Sequence, residues 1–171
     1  MTDKLATAAG TAHADGEDED AAPLGDTRVV SQENVELVRS ALFPLGVDLV
    51  PLTRSGELLN LIDRTAVAPD LEVAFATPAG PMTEFRGPDG FIQGWSDWMI
   101  PWASYQVDIE EMLDAGDRVV ALVTLSGQTL HDAVRIEQPG AAVFTLAGGK
   151  IVRVEFHLDQ REALESAGLS G

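Results

Sequence analysis

The spacing of apolar residues changes character along this chain. From Ser31 onward, Val35, Val38, Leu42 and Leu45 recur at helical spacing. Ser31 in the N-cap position and Glu33 in the first turn predict where that helix starts. Pro44 and Gly46 predict where it stops. A second helix is predicted from about Ser55, with Leu58, Leu61 and Ile62 on one face. The intervening VDLVPLT is short and proline-broken and predicts no element. After Pro69 the period shortens, and residues 71–75 read as a strand. The turn-rich TPAGPMTEFRGPDG predicts a loop with a short strand at Thr83-Glu84-Phe85. Pro88 opens a helix on which Phe91, Trp95, Trp98 and Trp102 follow at steps of four, three and four, on one face.

The remainder predicts strands over 106–113, 117–128, 133–147 and 150–158. Ala115-Gly116-Asp117, a loop near residues 130–132, and Gly148-Gly149 separate them, and connections this short imply antiparallel neighbours. The third of these strands is expected to bulge or break at Pro139-Gly140. A short helix over 161–167, with Gly168 at its end, closes the chain. Helices followed by an antiparallel sheet make an α+β domain.

Composition narrows the choice of partners. A length of 171 residues with 45% apolar content suits one domain with a real core. Without cysteine there are no disulfides and no thiolate metal sites. The net charge is −17, and the only lysines are Lys4 and Lys150, which argues against nucleic acid and against an anionic membrane as partners. No apolar run reaches the length of a membrane span. The first twenty residues lack a secretory apolar core, so a cytoplasmic location is expected. Residues 1–28, with Glu17-Asp18-Glu19-Asp20 at their middle, are expected to form a disordered acidic tail, a solubilising leader in which His13 has no role. Residues 29–171 are expected to form the folded domain.

Four segments in order carry a family likeness: SQENVELVRSAL; APDLEVAF with FRGPDGFIQGWSDWMIPW; DAGDRVVALV; and GGKIVRVEFHLDQREALESAGL. Together they resemble the SnoaL-like proteins of the nuclear transport factor 2-like superfamily, over residues 31–171. No single motif among them is catalytic. The resemblance implies a cystatin-like roll: a cone-shaped, strongly curved antiparallel sheet packed on N-terminal helices, with a pocket in its mouth. It also implies a homodimer through the outer sheet face. The family includes polyketide cyclases, ketosteroid isomerases, epoxide hydrolases and non-enzymatic binding domains, so the fold selects no function.

The final strand tests the chemistry. Alternation predicts Val152, Val154, Phe156 and Leu158 on one face, and Ile151, Arg153, Glu155, His157 and Asp159 on the other. In the cyclases, the resemblance places an acid/base aspartate on the pocket-facing set of the strand that begins with a similar GKI. Counted from Gly149-Lys150-Ile151, that position is Phe156, with Val154 two residues earlier, and neither moves a proton. Glu155, His157 and Asp159 could form a base or metal site. Sharing the face opposite the apolar set, they read better as a solvated or dimer-interface surface.

The tryptophan stripe reads first as core, and its Trp98–Trp102 end with Tyr105 alternatively lines a pocket mouth. The expected pocket lining is Trp95, Trp98, Trp102, Tyr105, Val154 and Phe156. His131-Asp132 reads as a turn, Asp97 as solvated, and Arg86 as the partner of a surface acid. Asp108 and Glu110 are expected outside, because Val107 and Ile109 make the better core face. No nucleophile triad or phosphate loop is present, and neither a cofactor nor a metal is expected.

Three roles stay open. The first is a domain binding a small hydrophobic molecule without a catalytic acid. The second is an isomerase, cyclase or hydrolase of the same fold, and the third a dimerisation domain.

Overall fold

A computed structural model describes residues 32–41 and 46–169. The acidic tail, the Ser31 cap and the Leu42 and Leu45 positions lie outside the described residues. Residues 32–41 form helix α1, with Val38 fully buried and Val35 half-buried.

The stretch expected to form no element contains helix α2, Leu49–Ser55. Asp48 makes this possible. Its Oδ1 accepts from Val50 N at 3.0 Å as an N-cap, and also from Tyr105 N at 3.0 Å. Pro51 lies in the first turn, where the missing N–H would have had no helical acceptor anyway. Gly56, at φ 81°, ends the helix, and a 3-10 turn over Glu57–Leu61 follows instead of a second α-helix at Ser55. Leu58 is buried there and Leu61 is exposed.

Strands β1 (Val67–Phe75) and β2 (Thr83–Arg86) precede helix α3, Gly87–Met99, which has Pro88 in its first turn. The helix stops before Pro101, so Trp102 belongs to the next strand and not to the helical stripe. Strands β3 (Trp102–Asp114), β4 (Arg118–Thr129), β5 (Arg135–Ala147) and β6 (Lys150–His157) follow, and α4 (Gln160–Ser166) packs last. No helix among the described residues is long and apolar enough to cross a membrane.

The six strands make one curved sheet in the order β2-β1-β6-β5-β4-β3. All neighbours are antiparallel except β1 and β6, which run parallel. The expected break at Pro139 is absent. Pro139 pairs with Thr124 beyond the last β5–β6 pair, Ala141–His157, so at that level β5 has only one neighbour to serve.

The two faces bury separate clusters. The inner face, with Val73, Val123, Phe144 and Val154, packs on α1, α2 and α3. On the outer face Val120, Ala141 and Val143 pack under Ala163 of α4. Asp159 caps α4, its Oδ1 accepting from Arg161 N at 2.8 Å and Glu162 N at 3.2 Å.

One expected strand face is corrected. The register of β5 against β6 shifts between Thr145 and Leu146, which pair with Arg153 and Ile151, leaving Val152 as an extra residue. This bulge resets the alternation. Ile151, expected outside, is therefore in the inner core at 3% exposure, together with Val154.

Candidate functional site

Between α3 and the concave sheet lies a cavity of about 320 Å³. Its aromatic floor is assembled from three elements. Phe75 ends β1, Trp95 and Trp98 come from α3, and Phe156 stands on β6. The Phe75 and Phe156 ring centroids are 4.8 Å apart, Trp95 meets Phe156 at 5.0 Å, and Trp95 meets Phe75 edge-on at 5.5 Å. Helix and strand come this close because Gly94 carries no side chain: a Cβ there would lie 2.3 Å from the Phe75 ring.

Of the positions expected to line a pocket, Trp95, Trp98, Tyr105, Val154 and Phe156 border this cavity. Trp102 does not. It packs edge-on against Tyr105 at 5.0 Å and lies over Gly127, where a Cβ would come within 2.7 Å of its ring.

Tyr105 is the buried polar group of the aromatic wall, at 3% exposure. Burial pushes its phenol up to about 12, opposed by the Trp98 N–H. It is therefore a neutral hydroxyl at any physiological pH. The Trp98 indole nitrogen, near that hydroxyl, completes no hydrogen bond of its own.

Among the described residues that border the cavity, none is Asp or Glu. The ionisable side chains among them besides Tyr105 are Arg64, Lys150 and His157. Arg64 precedes β1 and Lys150 opens β6, both exposed, so they stand at the mouth.

His157 borders the cavity from the end of β6, yet its imidazole belongs to the other face. Its register partner, Ala141, packs in the outer cluster. Its Nε2 lies 3.4 Å from Glu155 Oε1, without the alignment of a full hydrogen bond. Glu155 in turn meets Arg153 at 3.4 Å, and Arg153 also meets Glu72 and Glu84, each at 3.1 Å. The contact with His157 and the Arg153 charge hold the Glu155 carboxyl below its ordinary value, against the opposing effect of burial. The trio expected to share a solvated or dimer-interface surface is thus split. Glu155 and His157 are largely covered at 15% and 8% exposure, while Asp159 caps α4.

The remaining candidates are structural. Arg86 pairs with Glu72 at 3.4 Å, and Asp97 is exposed, accepting from Gln93 at 2.8 Å. Asp132 accepts from Thr129 Oγ1 at 2.6 Å beside an exposed His131. Asp108 lies on the outer face beside Gln106, and Glu110, also outside, accepts from Thr124. Among the described residues no three His, Asp or Glu side chains gather to hold a metal ion.

Two features of the site escaped the sequence reading. Phe75 shares the period-two face of Leu71 and Val73, so its inward direction was available from alternation. The cations at the mouth had no local signal beyond the scarcity of lysine.

The family described as SnoaL-like domain matches residues 63–154, a span from just before β1 to Val154 on β6. No curated protein matches the chain. Among solved structures, a nuclear transport factor 2-like protein of unknown function from Burkholderia pseudomallei is similar at 20% identity and a TM-score of 0.56, over 78% of this chain and 95% of that one. A Jannaschia protein assigned to the SnoaL-like polyketide cyclases is similar at 18% identity and a TM-score of 0.56, over 82% and 94%. TerC, co-crystallised with polyporic acid, is similar at 18% identity and a TM-score of 0.55, over 80% and 98%. At such identities the likeness is one of fold.

Proposed function

We propose that this chain, which belongs to the SnoaL-like domain family, binds a small hydrophobic molecule in the cavity and does not transform it by carboxylate acid–base chemistry. The observation that supports this reading is the lining. Among the described residues no Asp or Glu borders the cavity. The position at which the family resemblance would put an acid is Phe156, whose ring packs against Phe75 and Trp95. An aromatic cavity of about 320 Å³ falls within the range of small-molecule sites, where apolar walls supply affinity and a few polar groups set orientation. Tyr105, held neutral, supplies one such group as a hydrogen-bond donor or acceptor.

The reading is tested with N-phenyl-1-naphthylamine, an uncharged fluorescent probe, added to the full-length protein. The expected result is saturable binding that quenches indole emission. It should be lost in Ala142→Phe, which builds a ring into the cavity from β5. Failure of the wild-type protein to bind this probe or other apolar compounds would refute the reading. A second reading, acid–base catalysis, draws on His157, which borders the cavity behind a glutamate. It requires the imidazole to reach a bound molecule, so His157→Gln would abolish turnover of a compound that still binds.

A further inference from the structure

Basic residues are scarce here, 11 against 28 acidic ones, and the long-range field of a chain with net charge −17 repels anions. Two of these cations, Arg64 and Lys150, nevertheless border the cavity. The fold places them together. Ile151 N donates to Ala66 O at 2.8 Å and Ile151 pairs with Val67, so the segment carrying Arg64 runs beside the start of β6.

Neither cation has an acidic partner or a side-chain hydrogen bond among the described residues, whereas Arg39, Arg86 and Arg153 are all paired with glutamates. Asp63, next to Arg64 in sequence, is turned to Thr65 instead, accepting from its N at 3.0 Å and its Oγ1 at 2.5 Å. Arg135 and Arg161 are likewise unpaired among the described residues, but neither borders the cavity.

Resting on the binding reading above, we propose that the ligand is an amphipathic anion. Its apolar body lies against Phe75, Trp95 and Phe156, and its carboxylate or other singly charged acid group sits between Arg64 and Lys150 at the mouth. A cation pair there cancels the repulsive field where the acid group would rest, and the acid group keeps contact with water, so little desolvation opposes binding. A neutral apolar ligand would gain nothing from either side chain.

Two probes that share one ring system and differ by a sulfonate test this on the full-length protein. They are 1-anilinonaphthalene-8-sulfonate and the uncharged N-phenyl-1-naphthylamine. In the double variant Arg64→Gln/Lys150→Gln, the sulfonate's affinity relative to the neutral probe is expected to fall about fivefold, while the neutral probe binds as before. Raising salt to about 1 M, where charges are screened beyond about 3 Å, should produce the same fall in the wild-type protein. The charge-keeping variants Arg64→Lys and Lys150→Arg should retain the wild-type ratio. An unchanged ratio in the double variant, or an equal fall in the charge-keeping ones, overturns the anion proposal and leaves the cavity reading standing. Binding of neither probe to the wild-type protein overturns both.

Discussion

Gly94 on α3 and Phe75 on β1 are in such close apposition that any Cβ on Gly94 would sit 2.3 Å from ring carbon Cε1. Alanine favours a helix interior by about 1 kcal/mol over glycine, but overpacking a core costs about 1–3 kcal/mol. The steric term should win, because the clash falls on a ring held between Trp95 and Phe156. Gly94→Ala is expected to destabilise the protein by about 1–2 kcal/mol in urea denaturation. It should also weaken apolar probe binding, since Phe75 can yield only toward the cavity it borders.

Tyr105 gives stability an alkaline limit. Its phenol ionises near 10 in an unfolded chain and at about 12 in the fold. The folded protein therefore keeps a proton that the unfolded chain releases, and stability falls as pH rises from 10 through about 12. The loss should be on the order of 2 kcal/mol. In Tyr105→Phe this component disappears, which denaturation curves taken across that range would show.

Glu155 acts at the other end of the scale. His157 beside it and the Arg153 charge keep its folded value low, so its contribution is present above the usual glutamate range and is lost as pH falls through the lowered value. Glu155→Gln should flatten the acid limb of the stability profile and lower stability at neutral pH. A profile unchanged below pH ~4 would show that the contacts with Arg153 and His157 carry no net energy.

Helix α4 depends on its cap. Asp159→Ala removes the acceptor for the amides of Arg161 and Glu162 and should cost about 1 kcal/mol, with Asp159→Asn retaining most of it. Hydrogen exchange should speed up in α4 and in Val120 and Val143 beneath it, leaving the inner core unaffected.

Much of the fold is legible in the sequence, because glycine turns separate β3 to β6 and period-two alternation marks most of their faces. Pro88 likewise marked the start of α3. Helix α2 was hidden because its cap, Asp48, is fixed by the amide of Tyr105, a contact 57 residues away. Trp102 was misplaced because its spacing continues the helical stripe, while the break comes from Pro101. The face of Ile151 was misread for a different reason: Ile151 and Val152 are both apolar, so either could be the inward residue and the pattern carries no sign of the extra position. Five of the six expected wall residues do border the cavity, since aromatic spacing on α3 and alternation in β6 beyond the bulge are local properties. The cationic mouth depends on strand pairing between residues far apart in sequence, and such pairing has no local signature.

The extra residue in β6 also divides the strand into two independent halves. Deleting Val152 would restore a regular ladder without turning either half over, because Ile151 and Arg153 already pair with the adjacent residues Leu146 and Thr145. Ile151, Val154 and Phe156 would keep their inward positions, and Arg153, Glu155 and His157 their outward ones. The greasy interior of this protein thus survives the loss of that one codon, which encodes a residue outside the ladder.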